Sequence, residues 1–139
     1  MRYLGVDPGG RRIGLAIGDE ATGVVSPLAV VPYGGVEGAA RKICAVAEEF
    51  GATCVVLGLP TGADGSPGLA ARRSQLLAKA IGAFGVEIVF QKEFLTTHEA
   101  RRRAIAVGRS PRRPIDDIAA QILVEEYLAN LDRANGVES

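Results

Sequence analysis

Apolar and polar positions change rhythm several times along this chain, and each change marks an element. Positions 3–7 read as a strand and positions 13–19 alternate apolar with small residues, on either side of Pro8-Gly9-Gly10-Arg11-Arg12, turn chemistry that predicts two strands joined as a hairpin. A third extended run over 24–31 ends at Tyr33-Gly34-Gly35. Ile43, Val46, Ala47 and Phe50 then recur at helical spacing, so the pattern predicts a first helix over 36–50 with Gly51 closing it. Positions 53–57 are continuously apolar, the mark of a strand buried on both faces, and stop at Gly58-Leu59-Pro60.

Ser66 as N-cap and Pro67 as first helical residue predict a second helix through Leu69, Leu76, Leu77 and Ala80, ended by Gly82 or Gly85. A fifth strand follows over 86–90. Thr96 with Glu99 three residues later forms a capping box for a third helix reaching about Val107, with Gly108 as its stop. The last helix starts near Ile115 and carries Ala120, Leu123, Val124, Tyr127, Leu128 and Leu131 on one face. The order β-β-β-α-β-α-β-α-α predicts an α/β protein. Its sheet is mixed and five-stranded, the first three strands antiparallel and the rest added in parallel by right-handed crossovers, with helices on both faces. No repeat or linker divides the chain, which reads as one domain over 1–134 with a frayed tail over 135–139.

At 139 residues and 47% hydrophobic, such a domain can build a full core. No apolar run is long enough to span a bilayer, and Met1-Arg2 leads straight into a strand without the features of a signal peptide, so a cytoplasmic protein without a membrane partner is expected. Cys44 and Cys54 lack metal-ligand spacing and read as small buried hydrophobes. The formal net charge is zero, so overall charge does not argue for nucleic acid. Its distribution does more: 13 of the 16 basic residues are Arg, and Arg101, Arg102, Arg103, Arg109, Arg112 and Arg113 fall in one stretch free of acids. That stretch is a candidate for phosphate contact, although a solvated helix face and loop would look the same.

The candidate chemistry lies in carboxylates. Asp7 ends the first strand beside Gly9 and Gly10, Glu93 follows the fifth strand near the carboxyl edge of the sheet, and Asp116 and Asp117 open the last helix. Grouped carboxylates supply the hard oxygen ligands that Mg²⁺ or Mn²⁺ requires. Each also has a plainer role: Asp7 can hold turn amides, Glu93 can be a surface residue, and the helix dipole favours acids at 116 and 117 whatever the function. At 100° per residue Asp116 and Asp117 flank the centre of the helix's apolar face on opposite sides, so helical geometry does not choose between them. His98 is the only histidine, and neither a Ser-His-Asp set nor a Cys-His pair is indicated.

Gly5-x-Asp7-x-Gly9 followed by Arg11-Arg12-Ile13-Gly14-x-Ala16-x-x-Asp19 resembles the first hairpin of the ribonuclease H-like superfamily, and specifically of YqgF/RuvX proteins. Gly58-Leu59-Pro60 with Asp64-Gly65-Ser66, Glu93-x-Leu95-Thr96-Thr97, and Ile115-Asp116-x-x-Ala119-Ala120 are similar to further motifs of that family and occur in its order, across residues 2–131. The resemblance implies a ribonuclease H-like fold akin to Holliday-junction resolvases and a metal-dependent nuclease acting in 5′-end maturation of the 16S ribosomal RNA precursor. It further implies Asp7, Glu93 and Asp116 as catalytic metal ligands for Mg²⁺ or Mn²⁺, choosing Asp116 over Asp117.

Arg11, Arg12, Lys92, Arg101, Arg102, Arg109, Arg112 and Arg113 are then the expected contacts to nucleic acid, with structured RNA favoured over branched DNA, for a monomer or homodimer. Lys92 and Phe94 stand where the family carries Asp and Arg, which removes a bidentate phosphate contact and puts a point charge in its neighbourhood. Two rivals remain: an ATP-dependent phosphotransferase, since sugar kinases and actin-like ATPases open on a similar hairpin, and a noncatalytic nucleic-acid-binding or ribosome-assembly factor. The first needs two such domains, more than 139 residues provide.

Overall fold

A computed structural model describes residues 1–60, 68–93 and 96–134. The elements run β1 (Arg2–Pro8), β2 (Arg12–Asp19), β3 (Val25–Pro32), α1 (Val36–Glu49), β4 (Cys54–Pro60), α2 (Leu69–Gly82), β5 (Glu87–Glu93), α3 (Thr96–Ala106) and α4 (Asp116–Ala134). The sheet order is β3-β2-β1-β4-β5, with β1 antiparallel to β2, β2 antiparallel to β3, and the pairs β1–β4 and β4–β5 parallel. This is the expected mixed sheet.

Side-chain alternation sorts the strands onto two faces. Leu4, Val6, Ile13, Leu15, Val55 and Leu57 point to one side and are covered by Ala40, Ile43 and Ala47 of α1 and Leu77 and Ile81 of α2. Most of these side chains are fully buried. Each large aliphatic chain so buried contributes about 1.5–3 kcal/mol, which makes this layer the main source of stability. Tyr3, Cys54 and Val56 point the other way, onto Leu123 and Val124 of α4, while α3 packs behind α4 through Ala100, Ala104, Ile118, Ala119 and Ile122. Helices therefore cover both faces, as the alternation required.

The face under α4 is built from small residues. A β-carbon on Gly5 would stand 2.9 Å from the Ala120 carbonyl oxygen, and one on Gly18 would stand 2.6 Å from Val124 Cγ1. Both fall below any ordinary contact, so glycine here is what lets the helix lie directly on β1 and β2.

Several boundaries differ from the sequence expectation. β5 starts one residue later than the apolar run over 86–90 and continues three residues beyond it, so that Glu93 is its last residue. Its pairing with β4 continues to Pro60↔Glu93, and the ladder carries residues whose side chains alone look polar enough to end a strand. α2 starts at Leu69 with Gly68 at the capping position; Ser66 and Pro67, expected to begin it, lie outside the described residues. The capping box of α3 rests on the Thr96 side chain, which is outside them too, as are Asp64, Gly65 and the tail over 135–139. Gly108 does turn the chain after α3, at φ 75°. Cys44 and Cys54 are free, half-buried and buried respectively, and burial followed by the charge of Glu87 pushes the Cys54 thiol up to about 11. No described helix is long and apolar enough to cross a membrane.

Candidate active site

The hairpin turn between β1 and β2 is closed by the Gly9 amide, which donates to the Arg12 carbonyl at 2.8 Å and to the Asp7 carbonyl at 3.1 Å. Asp7 is thereby held at the end of β1, half-buried, in register with Gly14 of β2 and in the same alternation row as Tyr3 and Gly5. That row is the α4 face. At Gly14 the approach is closest of all: a β-carbon there would overlap the Asp116 carbonyl and stand 2.8 Å from the Asp117 amide nitrogen. The first turn of α4 is therefore seated on the residue that pairs with Asp7.

Asp116 completes the corner. Its Oδ1 lies 3.2 Å from where a β-carbon on Gly9 would be, and its Oδ2 accepts a hydrogen bond from Arg12 Nε at 2.9 Å. Asp117 points elsewhere. It is 5% exposed, and Arg109 grips it with two donors, Nη1 to Oδ1 at 2.8 Å and Nη2 to Oδ2 at 3.2 Å. Arg109 Nη1 also donates to the Pro114 carbonyl at 3.2 Å, tying the segment before α4 to its first turn. Two adjacent acids that helical periodicity leaves equivalent thus have different positions: one is locked inside by an arginine, the other stands at the Asp7 corner.

Glu93 ends β5 at the same carboxyl edge. By register it belongs to the row of Cys54, Val56 and Gly58 in β4 and of Tyr3, Gly5 and Asp7 in β1. Its side chain lies outside the described residues, as do those of His98 and Phe94. Among the described residues no group of three His, Cys, Asp or Glu side chains could hold a metal ion. The donor chemistry at the corner nevertheless fits a hard divalent cation: two acids, Asp7 and Asp116, beside a Gly9 cradle that leaves room against the carboxylate, with no soft ligand among them.

A family model described as "RuvX: Holliday junction resolvase" matches residues 1–130. The chain belongs to the RuvX family. It is 36% identical over 132 residues to a protein of Anaeromyxobacter sp. (strain Fw109-5) named "Putative pre-16S rRNA nuclease", covering 92% of this chain and 96% of that one. A protein of the same name from Azotobacter vinelandii is 36% identical over 131 residues, covering 91% and 92%. Among solved structures, this RuvX chain is similar to Thermus thermophilus RuvC in complex with a Holliday junction substrate, with a TM-score of 0.62 and 17% identity over 99% of this chain and 98% of that one. The fowlpox virus resolvase in complex with Holliday junction DNA gives 0.56 and 16%, covering 94% and 99%. These likenesses establish the ribonuclease H-like fold that the resemblance implied.

The basic residues of this RuvX chain divide into two kinds. Arg11, Lys92, Arg101, Arg112 and Arg113 are exposed, and so is Arg102, which pairs with Glu99. Arg12 is half-exposed and lines, with Arg113 and Pro114, an open cleft of about 420 Å³ against the β3 edge. Arg109, expected on the phosphate-contacting surface, is instead turned inward: its side chain is 9% exposed and its guanidinium is taken up by Asp117. The run of arginines concealed this, because spacing alone does not reveal that a buried acid eight residues on requires a counter-ion.

Arg109→Ala is expected to lower stability by about 3 kcal/mol, since it leaves the Asp117 carboxylate enclosed without its partner. Arg101→Ala, on the exposed face, should stay within about 0.5 kcal/mol. Chemical denaturation of both variants checks the contrast, and equal midpoints would remove Arg109 from the architecture of the site.

Sequence reasoning passed over Arg73 altogether. Its Nη2 donates to the Gly10 carbonyl at 2.8 Å and its guanidinium lies 5.1 Å from the centre of the Tyr33 ring, so α2 is fastened to the hairpin turn that carries Asp7 and Gly9. On the helix Arg72 and Arg73 look like one solvated pair. Only the packing of α2 beside the turn separates them.

Proposed function

We propose that this chain is a metal-dependent nuclease that hydrolyses phosphodiester bonds in 5′-end processing of the 16S ribosomal RNA precursor, with Asp7, Glu93 and Asp116 as its metal-binding carboxylates. The observation that carries the reading is the seating of α4 on Gly14, which sets Asp116 beside the strand end of Asp7 while Arg109 withdraws Asp117. Mg²⁺ or Mn²⁺, when bound, supplies Lewis acidity toward the phosphate and lowers the pKa of a water nucleophile. Asp7 and Asp116 would hold it from the hairpin and from α4, with Glu93, the last residue of β5 at the same sheet edge, as the third ligand. Arg12 and Arg113, at the adjoining cleft, orient the phosphate backbone, and Arg11, Lys92, Arg101, Arg102 and Arg112 supply exposed positive charge around it. The relatives named as pre-16S rRNA nucleases, similar over nearly their whole length, favour RNA as the substrate.

A Holliday-junction resolvase is the second reading, favoured by the likeness in fold to RuvC solved on a junction. The two separate in one assay: cleavage of a 5′-extended 16S precursor fragment and of a four-way DNA junction, each with Mg²⁺, Mn²⁺ or chelator. Metal-dependent cutting of the RNA is the expected result, and junction-only cutting would transfer the activity to DNA. Binding of either without cutting would leave a noncatalytic assembly factor, with Lys92 and Phe94 as the departures that account for it.

A further inference from the structure

Two arginine–aspartate pairs sit side by side at the start of α4, and they are built differently. The side chains of Arg109 and Asp117 are both enclosed, 9% and 7% exposed, and meet through two hydrogen bonds. Arg12 and Asp116 meet through Nε and Oδ2 alone at 2.9 Å, and the arginine side chain is 54% exposed against 17% for the acid. The first is a fixed structural pair. In the second, the backbone of the arginine is anchored in β2 and through its carbonyl to the Gly9 amide, while the side chain, held by one hydrogen bond, lines the cleft it shares with Arg113.

From this contrast we infer that Arg12 is an internal counter-ion for Asp116 that competes with a divalent cation for the charge of its carboxylate, so that Arg12 restrains metal loading of the site. The inference rests on Asp116 being a metal ligand, as proposed above. A guanidinium on Oδ2 neutralises part of the charge that draws a divalent cation to the same carboxylate, and the two positive charges repel one another across it, so Asp116 holds the cation less tightly while Arg12 stays bound. Exposed single-point pairs are weak, which makes the displacement inexpensive and its effect on metal affinity modest. The hydrogen bond to α4 is a single one through the side-chain Nε, so the side chain can swing into the cleft without moving β2. A bidentate, enclosed pair such as Arg109–Asp117 would not release in this way, which is why the neighbouring acid is unsuited to the role.

The test is the affinity of the intact protein for Mn²⁺, measured by calorimetry without nucleic acid, for wild type, Arg12→Gln, Arg12→Lys and Asp116→Asn. Arg12→Gln is expected to bind Mn²⁺ roughly threefold to tenfold more tightly. Arg12→Lys, which keeps the charge, should stay near wild type, and Asp116→Asn should bind more weakly. Unchanged or weaker binding in Arg12→Gln, with Asp116→Asn weakened, would overturn the counter-ion role and leave the site assignment standing. Wild-type affinity in Asp116→Asn would instead remove Asp116 from the site, and the inference with it. Arg12 is half-exposed, so its variants are expected to keep the fold, and thermal melts of the same samples verify this.

Discussion

Asp7→Asn and Asp116→Asn are each expected to reduce metal-dependent cleavage by at least about a hundredfold while leaving the fold intact. Asparagine keeps the shape of the side chain and removes the charge that a divalent cation needs. Asp7 is half-buried at a strand end whose geometry is set by the Gly9 amide, a backbone contact that the substitution does not touch. Asp116 loses only its exposed pair with Arg12, worth about 0–1 kcal/mol. Cleavage rates at saturating Mn²⁺, beside thermal melts, check the prediction. Either variant cutting at the wild-type rate would remove that residue from the chemistry. Asp117→Asn offers the contrast, because it disturbs the grip of Arg109 and so is expected to act on stability before activity.

Gly14→Ala is expected to damage both. The added methyl group would overlap the Asp116 carbonyl and press on the Asp117 amide, and backbone atoms, unlike a side-chain tip, cannot rotate away. The first turn of α4 must lift, which costs about 3 kcal/mol, the upper end for overpacking in a tight interior. Lifting the turn also carries Asp116 away from Asp7. A displacement of about 1 Å at a reacting centre can cost about a hundredfold in rate, so cleavage should fall further than the loss of folded protein explains. Gly10→Ala is the control: nothing lies within 4 Å of its would-be β-carbon, and its stability should stay within about 0.5 kcal/mol of wild type. A melting curve for Gly14→Ala that overlays the wild type would mean that α4 does not rest on β2 as described.

How far the sequence reaches can be judged from these same residues. The hairpin was legible because Pro8-Gly9-Gly10 is turn chemistry flanked by alternating strands, and α4 because its apolar face repeats over several turns; both signals are local. The end of β5 was not legible, since Gln91, Lys92 and Glu93 stay in the strand through hydrogen bonding to β4, which composition does not encode. The glycines at 5, 14 and 18 stood out as small residues in strands, but nothing near them in sequence names the helix, about a hundred residues on, for which they make room.

By itself, then, the sequence determined the order and type of the elements, the mixed sheet they form, and a short set of acids placed at element ends, because periodicity and turn chemistry act within a few residues. Only the tertiary structure gave Asp116 and Asp117 their different surroundings. Periodicity put the two acids on opposite sides of the centre of the helix's apolar face. The difference comes from contacts across 104 residues, between Arg12 and Asp116, and from a buried charge with Arg109 as its partner. Burial and ion pairing depend on what the fold brings near, and a single strand or helix carries no record of its neighbours.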